Sequence, residues 1–407
     1  MLVAFIRRLC EKLFARCPAL RRRWGWVIIA LLATSLGVSL SFPDYLHQLD
    51  VFGLAPPHPH TLGPEVTRAC LTEQIGNPYV RHSFSDVKFG IHEEKMTFRL
   101  SMPFLGHVLG LRLGQLILLQ QLCGVLFLGL VYQLAWRATG DSVCAALLPF
   151  GFALSYVGQA CFLDLIPWFD GMAFFGLAVA MCFRNPAVIF LGMCFSCWTD
   201  ERAVVVSPLL LMWWMAQEAG PARAVARQGV LRNAQVWAVV LAVLCYVAGR
   251  LAIGHLWQVR QWHKDLVPAG NWATRWPIFL VGLASSLKWL WLIVGGAGLA
   301  AFLNHKRWLA ATMVLFVVAY LGSCALVLDT TRSAAYAFPS VFLGLAWLSR
   351  TESPTTVRWL LFGICVLGLL TPWAFEIGGE VLIFPMPAAW PAFVVSGGVL
   401  SPQSTGW

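Results

Sequence analysis

Carboxylates at the ends of hydrophobic segments are the residues of this chain whose chemistry is most informative. Asp44 and Asp50 follow the first apolar segment, in Ser-Phe-Pro-Asp-Tyr-Leu-His-Gln-Leu-Asp. Partial desolvation at a boundary between water and lipid raises the pKa of a carboxylate and suits it to act as a general base. We therefore predict that Asp50 or Asp44 is catalytic. The alternative is that both residues only solvate the loop or cap a helix.

Further acidic residues lie at the ends of later apolar segments, and several have a basic neighbour. Such charges are costly near lipid, so a functional role is expected where many share one face. They can equally form ion pairs that hold helices together. The predicted acidic residues of a substrate site are Asp164, Asp170, Asp200, Glu201 and Asp329.

Four cations are candidates for binding a phosphate group. Lys95 and Arg99 are spaced to share one face of a helix, where an ammonium and a guanidinium can hold a phosphate together. Arg202 and Arg332 accompany the later acidic residues. The alternative for Lys95 and Arg99 is pairing with the neighbouring Glu93 and Glu94 and attraction to lipid headgroups.

Metal and redox motifs are weak in this sequence. His58 and His60 lie in a Pro-rich loop, and Cys194 and Cys197 form one Cys-x-x-Cys without a second pair. Phosphate-binding loops and serine-hydrolase or zinc-protease motifs are absent. We assign no metal site and no cofactor, and leave a role for a divalent cation open. A disulfide between Cys70 and Cys161 is also left open.

The composition is that of a membrane protein. The chain has 407 residues, 59% hydrophobic and 12% charged, with a mean hydropathy of +0.71. Apolar segments recur along the chain, and many have a length close to the roughly 20 residues needed to cross a bilayer. The net charge of +10 arises from short loops on alternate sides rather than from a nucleic-acid surface. We predict no nucleic-acid partner.

These features predict an all-α polytopic membrane protein with about eleven transmembrane helices, within a range of about 9 to 12. Residues 1–23 are predicted as a basic amphipathic helix on the cytoplasmic surface. Residues 24–373 form the multi-span domain, with a large external loop at 42–112, and residues 374–407 form an extracytoplasmic tail. The predicted spans are 24–41, 113–136, 143–159, 171–183, 187–198, 203–216, 235–253, 277–303, 308–328, 334–349 and 359–373. Residues 103–111 are predicted as an interfacial or re-entrant helix.

The basic residues decide the orientation of these segments. A hairpin with its charged tip at 200–202 keeps the later basic loops inside, whereas a single span there would reverse them. With this layout, all but four of the 19 carboxylates lie on or border the outside, the four being Glu11, Asp141, Glu218 and Glu352. We predict a multi-pass protein of the cell membrane, the inner membrane of a bacterium, with a cytoplasmic N-terminus.

This arrangement resembles the GT-C superfamily of polytopic glycosyltransferases. The resemblance rests on the basic start, the external loop opening with Asp44 and Asp50, the run from Arg99 to Pro103, and the Asp-Glu-Arg tip at 200–202. An Asp-x-Asp directly after the first span is lacking. The resemblance implies inverting transfer of a hexosyl or pentosyl group from a polyprenyl-phosphate donor to a glycan, lipid or protein on the extracytoplasmic face. It makes Asp50 or Asp44 the base and assigns the donor phosphate to Arg332, Arg202, Lys95 and Arg99.

Two other functions remain open from the sequence. A carrier or flippase for a lipid-linked or small polar solute would bury charge within its spans and show related halves. Lys288 is the one clear charge in mid-span, and no internal repeat is visible. In a non-catalytic assembly subunit, the carboxylates would only solvate loops and hold spans together.

Overall fold

The computed structural model describes residues 25–40, 62–80, 96–163, 167–218, 233–258, 272–304, 307–325, 329–377 and 380–384. This part of the chain is almost entirely α-helical, as predicted, with one antiparallel pair of strands. The elements are α1 (Gly25–Leu40), α2 (Leu62–Gly76), α3 (Ser101–Leu109), α4 (Leu113–Thr139), α5 (Ser142–Ala153), α6 (Tyr156–Gln159), α7 (Asp170–Cys182), α8 (Pro186–Thr199), α9 (Arg202–Glu218), α10 (Ala234–Leu256), α11 (Trp272–Leu287), α12 (Trp291–Leu303), α13 (Arg307–Ala325), α14 (Thr330–Ala335), α15 (Pro339–Thr351), α16 (Pro354–Leu370), β1 (Trp373–Ile377) and β2 (Glu380–Phe384).

Three helical stretches among the described residues are long and apolar enough to cross a membrane, namely Leu113–Thr139, Ala234–Leu256 and Arg275–Leu303. The other predicted spans coincide with shorter helices. Helix α5, with 12 residues, is roughly 18 Å long, less than the hydrocarbon thickness of about 30 Å. The helices therefore fit a membrane protein, while the number of crossings stays a prediction.

Three predicted spans are interrupted, and each break has a local cause. The segment 143–159 divides at Ser155, where the Gln159 side chain donates to the Ala153 carbonyl oxygen at 2.7 Å. The segment 277–303 breaks in a 3₁₀ turn at Lys288–Leu290, with Lys288 at φ 48°. The predicted span 334–349 begins instead at Pro339, which cannot continue a helix from α14.

The predicted hairpin with a charged tip at 200–202 is confirmed as two antiparallel helices. Near the start of α7, the Ser196 hydroxyl of α8 donates to the Ala173 carbonyl oxygen at 2.9 Å. Near the end of α7, the Trp213 indole of α9 donates to the Met181 carbonyl oxygen at 3.0 Å. Helix α8 thus runs antiparallel to α7 and α9 runs parallel to it, so residues 200–202 lie beside the start of α7.

Glycine allows α7 and α8 to approach closely. A Cβ atom on Gly176 would lie 2.3 Å from the Ser196 hydroxyl oxygen, and one on Gly192 would lie 2.8 Å from the Gly176 carbonyl oxygen. Small residues at such positions bring helix backbones together and favour association within membranes. This contact fixes the tip at 200–202 relative to Asp170.

The start of α7 lies beside the interior of α4, about three turns from the start of α4. The space left at this end of the bundle is a recess. Cys161 connects the two helices, because Cβ atoms built on Gly124 and on Gly171 would each lie 2.7 Å from it. Gly124 is eleven residues into α4, roughly 16 Å along the helix axis. Helices α2 and α3 cover this recess, and their Leu71 and Met102 share a buried apolar cluster with Phe169 and Met172.

A β-hairpin follows α16, which was not predicted from the sequence. Strands β1 and β2 pair from Trp373 with Phe384 to Ile377 with Glu380. The ring of Phe375 stacks on Tyr156, with centroids 5.3 Å apart. The first residues of the predicted tail are therefore part of the folded structure.

Candidate functional site

Charged side chains from four distant stretches meet in the recess at the start of α7. We call them the charged cluster: Arg99, Asp170, Asp200, Glu201, Arg202, Asp329 and Arg332. Every one was predicted from the sequence as a site residue. Asp170 and Asp200 are buried, as are Arg99 and Arg332. The predicted acidic and basic residues that the structure describes thus lie together rather than apart.

The ion pair between Asp170 and Arg332 is the centre of the cluster. Arg332 donates through Nε to Asp170 Oδ2 at 2.6 Å and through Nη2 to Oδ1 at 2.8 Å. The hydroxyl groups of Tyr156 and Tyr336 donate to the same carboxylate, at 2.8 and 3.3 Å. The carboxylate therefore has partners on both oxygens, as a buried charge requires.

Asp200 links three arginines. Its Oδ2 lies 2.8 Å from Arg99 Nη2, 2.9 Å from Arg202 Nη1 and 3.6 Å from Arg332 Nη2. Asp329 Oδ2 accepts from Arg332 Nη1 at 3.2 Å. The Arg202 Nε also donates to the Ser333 hydroxyl at 2.8 Å. The guanidinium groups of Arg202 and Arg332 are thus directed at acceptors of the protein itself.

Arg99 differs from the other two arginines. Its side chain is buried, yet Nε and Nη1 have no hydrogen-bond partner among the described residues. Glu201 Oε2 lies 3.7 Å from Nε, beyond hydrogen-bond distance. A cavity of about 10 Å³ adjoins Arg99, lined also by Met96, Trp168 and Thr199. Such a cavity holds about one water molecule.

The ring of Trp168 contacts two of the arginines. The Cζ atoms of Arg99 and Arg332 lie 5.0 and 4.8 Å from its ring centroid, within the range of cation–π attraction. The next residue, Phe169, has φ 59°, which is uncommon for a bulky residue and is often found at functional sites. This turn brings Asp170 to the start of α7.

Arginine charges lower the pKa of two carboxylates of the cluster, those of Asp170 and Glu201. Burial raises the pKa of Asp170, but the positive charge and hydrogen bonds of Arg332 outweigh burial and hold this pKa below its ordinary value. Burial also raises the pKa of Glu201, and the charges of Arg99, Arg202 and Arg250 outweigh it, lowering this pKa to about 2. Ionised groups with such low pKa values are weak proton acceptors at neutral pH.

Four predicted site residues lie outside the described residues: Asp44, Asp50, Lys95 and Asp164. Their roles stay predictions. The described segment before Asp44 is α1, which ends at Leu40. A Cβ atom on Gly37 would lie 3.2 Å from the Phe162 ring, one residue from Cys161. Helix α1 therefore ends on the side of the molecule where the cluster lies.

Several residues that complete the cluster were not identified from the sequence. Tyr156, Tyr336 and Ser333 bind its charges, and the ring of Trp168 lies against Arg99 and Arg332. Arg250 lies near the end of α10 and donates to the Tyr246 hydroxyl at 2.6 Å. A charge within an otherwise apolar segment was the signal that could have identified Arg250.

Other candidates from the sequence have local structural roles. The ammonium of Lys288 donates to the carbonyl oxygens of Gly368 and Thr371, at 3.3 and 3.4 Å, at the end of α16. Cys70 and Cys161 are thiols in separate apolar clusters, so a disulfide between them is not formed. The described residues contain no group of three or more His, Cys, Asp and Glu side chains placed to hold a metal ion.

Neither a comparison with models of known protein families nor one with curated proteins finds a match for this chain.

Proposed function

We propose that this chain is a membrane-embedded glycosyltransferase similar to the GT-C enzymes. It would move a sugar from a polyprenyl-phosphate donor to an acceptor on the extracytoplasmic face. The observation that supports this most is the recessed charged cluster, in which two nitrogen atoms of Arg99, Nε and Nη1, have no hydrogen-bond partner among the described residues. Buried charge at the ends of apolar helices is costly and is usually retained for function.

The general base in this proposal is Asp50 or Asp44. Asp170 and Glu201 of the cluster are unsuited to this role, because nearby arginines hold the pKa of each carboxylate below its ordinary value and make it a weak proton acceptor. Asp44 and Asp50 belong to the segment that follows α1, which ends on the side of the cluster. The base would remove the proton from the acceptor hydroxyl, whose oxygen attacks the anomeric carbon as the phosphate leaves. The configuration at that carbon is inverted.

Arg99 is the best placed of the described cations to stabilise the leaving phosphate. Negative charge grows on the phosphate in the transition state, and preorganised donors aimed at that charge lower the barrier. Arg202 donates through Nε and Nη1, and Arg332 donates through all three of its nitrogen atoms. Arg99 pairs with Asp200 through Nη2, but its Nε and Nη1 find no acceptor in the described part of the chain. The predicted role of Lys95 in binding the phosphate together with Arg99 stays a prediction, because Lys95 lies outside the described residues.

Donor binding requires a rearrangement at α2 and α3. The cavity beside Arg99, about 10 Å³ in volume, is far too small for a sugar phosphate. Its walls include Leu71 of α2 and Met102 and Pro103 of α3. In the proposed enzyme these two helices would shift when the donor binds, as covering segments do in many enzymes.

The test is sugar transfer by purified protein in proteoliposomes, with a polyprenyl-phosphate sugar as donor. Asp50→Asn or Asp44→Asn is expected to lower the rate by about 10²–10⁴-fold, the usual contribution of a general base. The control is Asp141→Asn, which lies at the other end of the helices. Unchanged transfer in both Asp50→Asn and Asp44→Asn would remove these residues from the mechanism. Passage of the intact donor across the membrane without a covalent product would favour a carrier.

A non-catalytic assembly subunit is the second candidate. It is favoured by the pairing within the cluster, where each carboxylate has at least one arginine within 4 Å. A cluster that only holds helices together needs no free donor and no catalytic loop. Purification in a stable complex, whose partner is lost when this chain is deleted, would support this function over transfer.

A further inference from the structure

A groove in the outer surface of the helices lies between α11, α12 and α13. Its volume is about 670 Å³. The lining residues are Leu280, Leu283, Ala284, Trp291, Val294, Gly295, Gly298, Leu299, Val314, Val317, Val318 and Leu321. The groove is separate from the charged cluster and from the cavity at Arg99.

Two features of the sequence open this groove. The break at Lys288–Leu290 interrupts the helical stretch between Ala284 and Trp291, and two glycines then remove side chains from the surface of α12. A Cβ atom on Gly298 would lie 3.9 Å from Val314, so α12 and α13 are in contact there. A Cβ atom on Gly295 would meet nothing within 4 Å. A side chain at position 295 would therefore enter open space, whereas one at position 298 would reach Val314.

The residues around the groove indicate whether it faces water or lipid. It lies on Arg275–Leu303, one of the three stretches able to cross a membrane. Leu299, Val314 and Val318 of its lining are exposed, as are the neighbouring Leu292, Phe302 and Leu315. A surface of this composition is covered by hydrocarbon in a bilayer. The occupant must therefore come from the lipid phase.

The lining does not select a headgroup. All twelve lining residues are apolar or aromatic, and the indole N–H of Trp291 already donates to the Leu283 carbonyl oxygen at 2.9 Å. A site for the phosphate of a polyprenyl donor would need a cation, and none of the lining residues in the described part of the chain is one. We propose that the groove holds one acyl chain of a membrane phospholipid, which packs between α12 and α13.

This site goes beyond the proposed function, because a bound acyl chain would support the helix next to the charged cluster. The Tyr320 hydroxyl of α13 donates to the Ser333 carbonyl oxygen, and the Ser333 hydroxyl accepts from Arg202. Leu321, the next residue of α13, lines the groove. An acyl chain packed against Leu321 thus lies close to a residue that contacts the cluster.

The experiment uses a phosphatidylethanolamine with a diazirine on one acyl chain, in nanodiscs, followed by irradiation and peptide mapping. We expect adducts concentrated at 291–299 and 314–321. Gly295→Leu should lower labelling there about fivefold, equivalent to roughly 1 kcal/mol of lost affinity. Gly295→Ala should lower it less. The matched control is Gly363→Leu on α16, since a Cβ atom there also meets nothing within 4 Å.

Two results would overturn this proposal. One is labelling spread evenly over exposed apolar faces, such as that of α10, with no effect of either Gly295 variant. The other is displacement of the probe by an isoprenyl phosphate at much lower concentration than by unlabelled phosphatidylethanolamine. Neither result depends on whether the protein transfers sugar, so the two proposals are tested separately.

Discussion

The two ends of the helical bundle handle polar groups in different ways. At the end opposite the cluster, Asp141 accepts from the backbone N–H groups of Val143 and Cys144 as the N-cap of α5. It also pairs with Arg358, which is 41% exposed. Asn185, Asn233 and Ser353 cap α8, α10 and α16 in the same way. The cap contacts are local and lie at helix starts, whereas the pair of Asp141 and Arg358 joins residues 217 apart in the sequence but is partly exposed.

At the cluster, the central charges of Arg99, Asp170, Asp200 and Arg332 are buried, and several of the contacts are long-range. Asp170 and Arg332, which pair directly, are 162 residues apart, and Arg202 and Ser333 are 131 residues apart. Local capping is worth about 1 kcal/mol, whereas an uncompensated buried charge costs several. The comparison therefore teaches that the contribution of a paired carboxylate to stability depends strongly on its burial.

The largest difference is expected between Asp170→Asn and Asp141→Asn. Asp170→Asn leaves Arg332 buried without its main counter-charge and should lower the free energy of unfolding by about 3–5 kcal/mol. Asp141→Asn keeps an efficient cap and loses only a partly exposed ion pair, which predicts a loss of about 1 kcal/mol or less. Denaturant unfolding in micelles measures both. Equal losses would show that the two ends are equivalent.

Arg99→Gln distinguishes transition-state stabilisation from a purely structural role. If Arg99 binds the leaving phosphate, the substitution should lower the transfer rate by about 10²-fold. Arg358→Gln, which removes the exposed arginine of the opposite end, should leave the rate unchanged. Transfer assays and thermal unfolding are measured on the same preparations. A large fall in Tm with full activity per folded molecule would assign Arg99 to structure alone.

Acid should destabilise the cluster over a defined range. The pKa of Glu201 is lowered from 4.5 to about 2 in the folded protein. Its contribution to stability is therefore present above about pH 4.5 and is lost as the pH falls towards 2. Glu201→Gln should flatten this part of the profile of Tm against pH. A profile with the same slope in the variant would mean that other groups control the acid response.

The smallest effect is expected at a simple cap. The Ser353 hydroxyl accepts from the Thr356 backbone N–H at 3.2 Å at the start of α16. Ser353→Ala should cost about 1 kcal/mol of unfolding free energy, and Ser353→Asp should restore it. Transfer activity is expected to stay unchanged. A loss of activity in Ser353→Ala would connect the two ends of the bundle.

The predicted elements and their charged ends were largely recoverable from the sequence. The hairpin at 200–202 followed from the distribution of basic residues, and α3 followed from its short apolar run. The helix breaks at Ser155 and Lys288 could not be predicted from the sequence. Both residues lie within long apolar runs, and hydropathy does not show where a helix loses a backbone hydrogen bond. The β-hairpin was missed for a related reason, since its stacking on Tyr156 is a contact with a distant part of the chain.

The amino-acid sequence by itself determined an apolar, helical chain with its charges at the ends of its segments, because hydropathy and charge are properties of short stretches. Only the tertiary structure decided which charges meet. Asp170, Asp200 and Arg332 could have taken local partners, but the close contact of α7 with α8 and the short α14 bring them together. The same packing left two nitrogen atoms of Arg99 without an acceptor among the described residues, because hydrogen bonding depends on distances between residues that are far apart in the sequence.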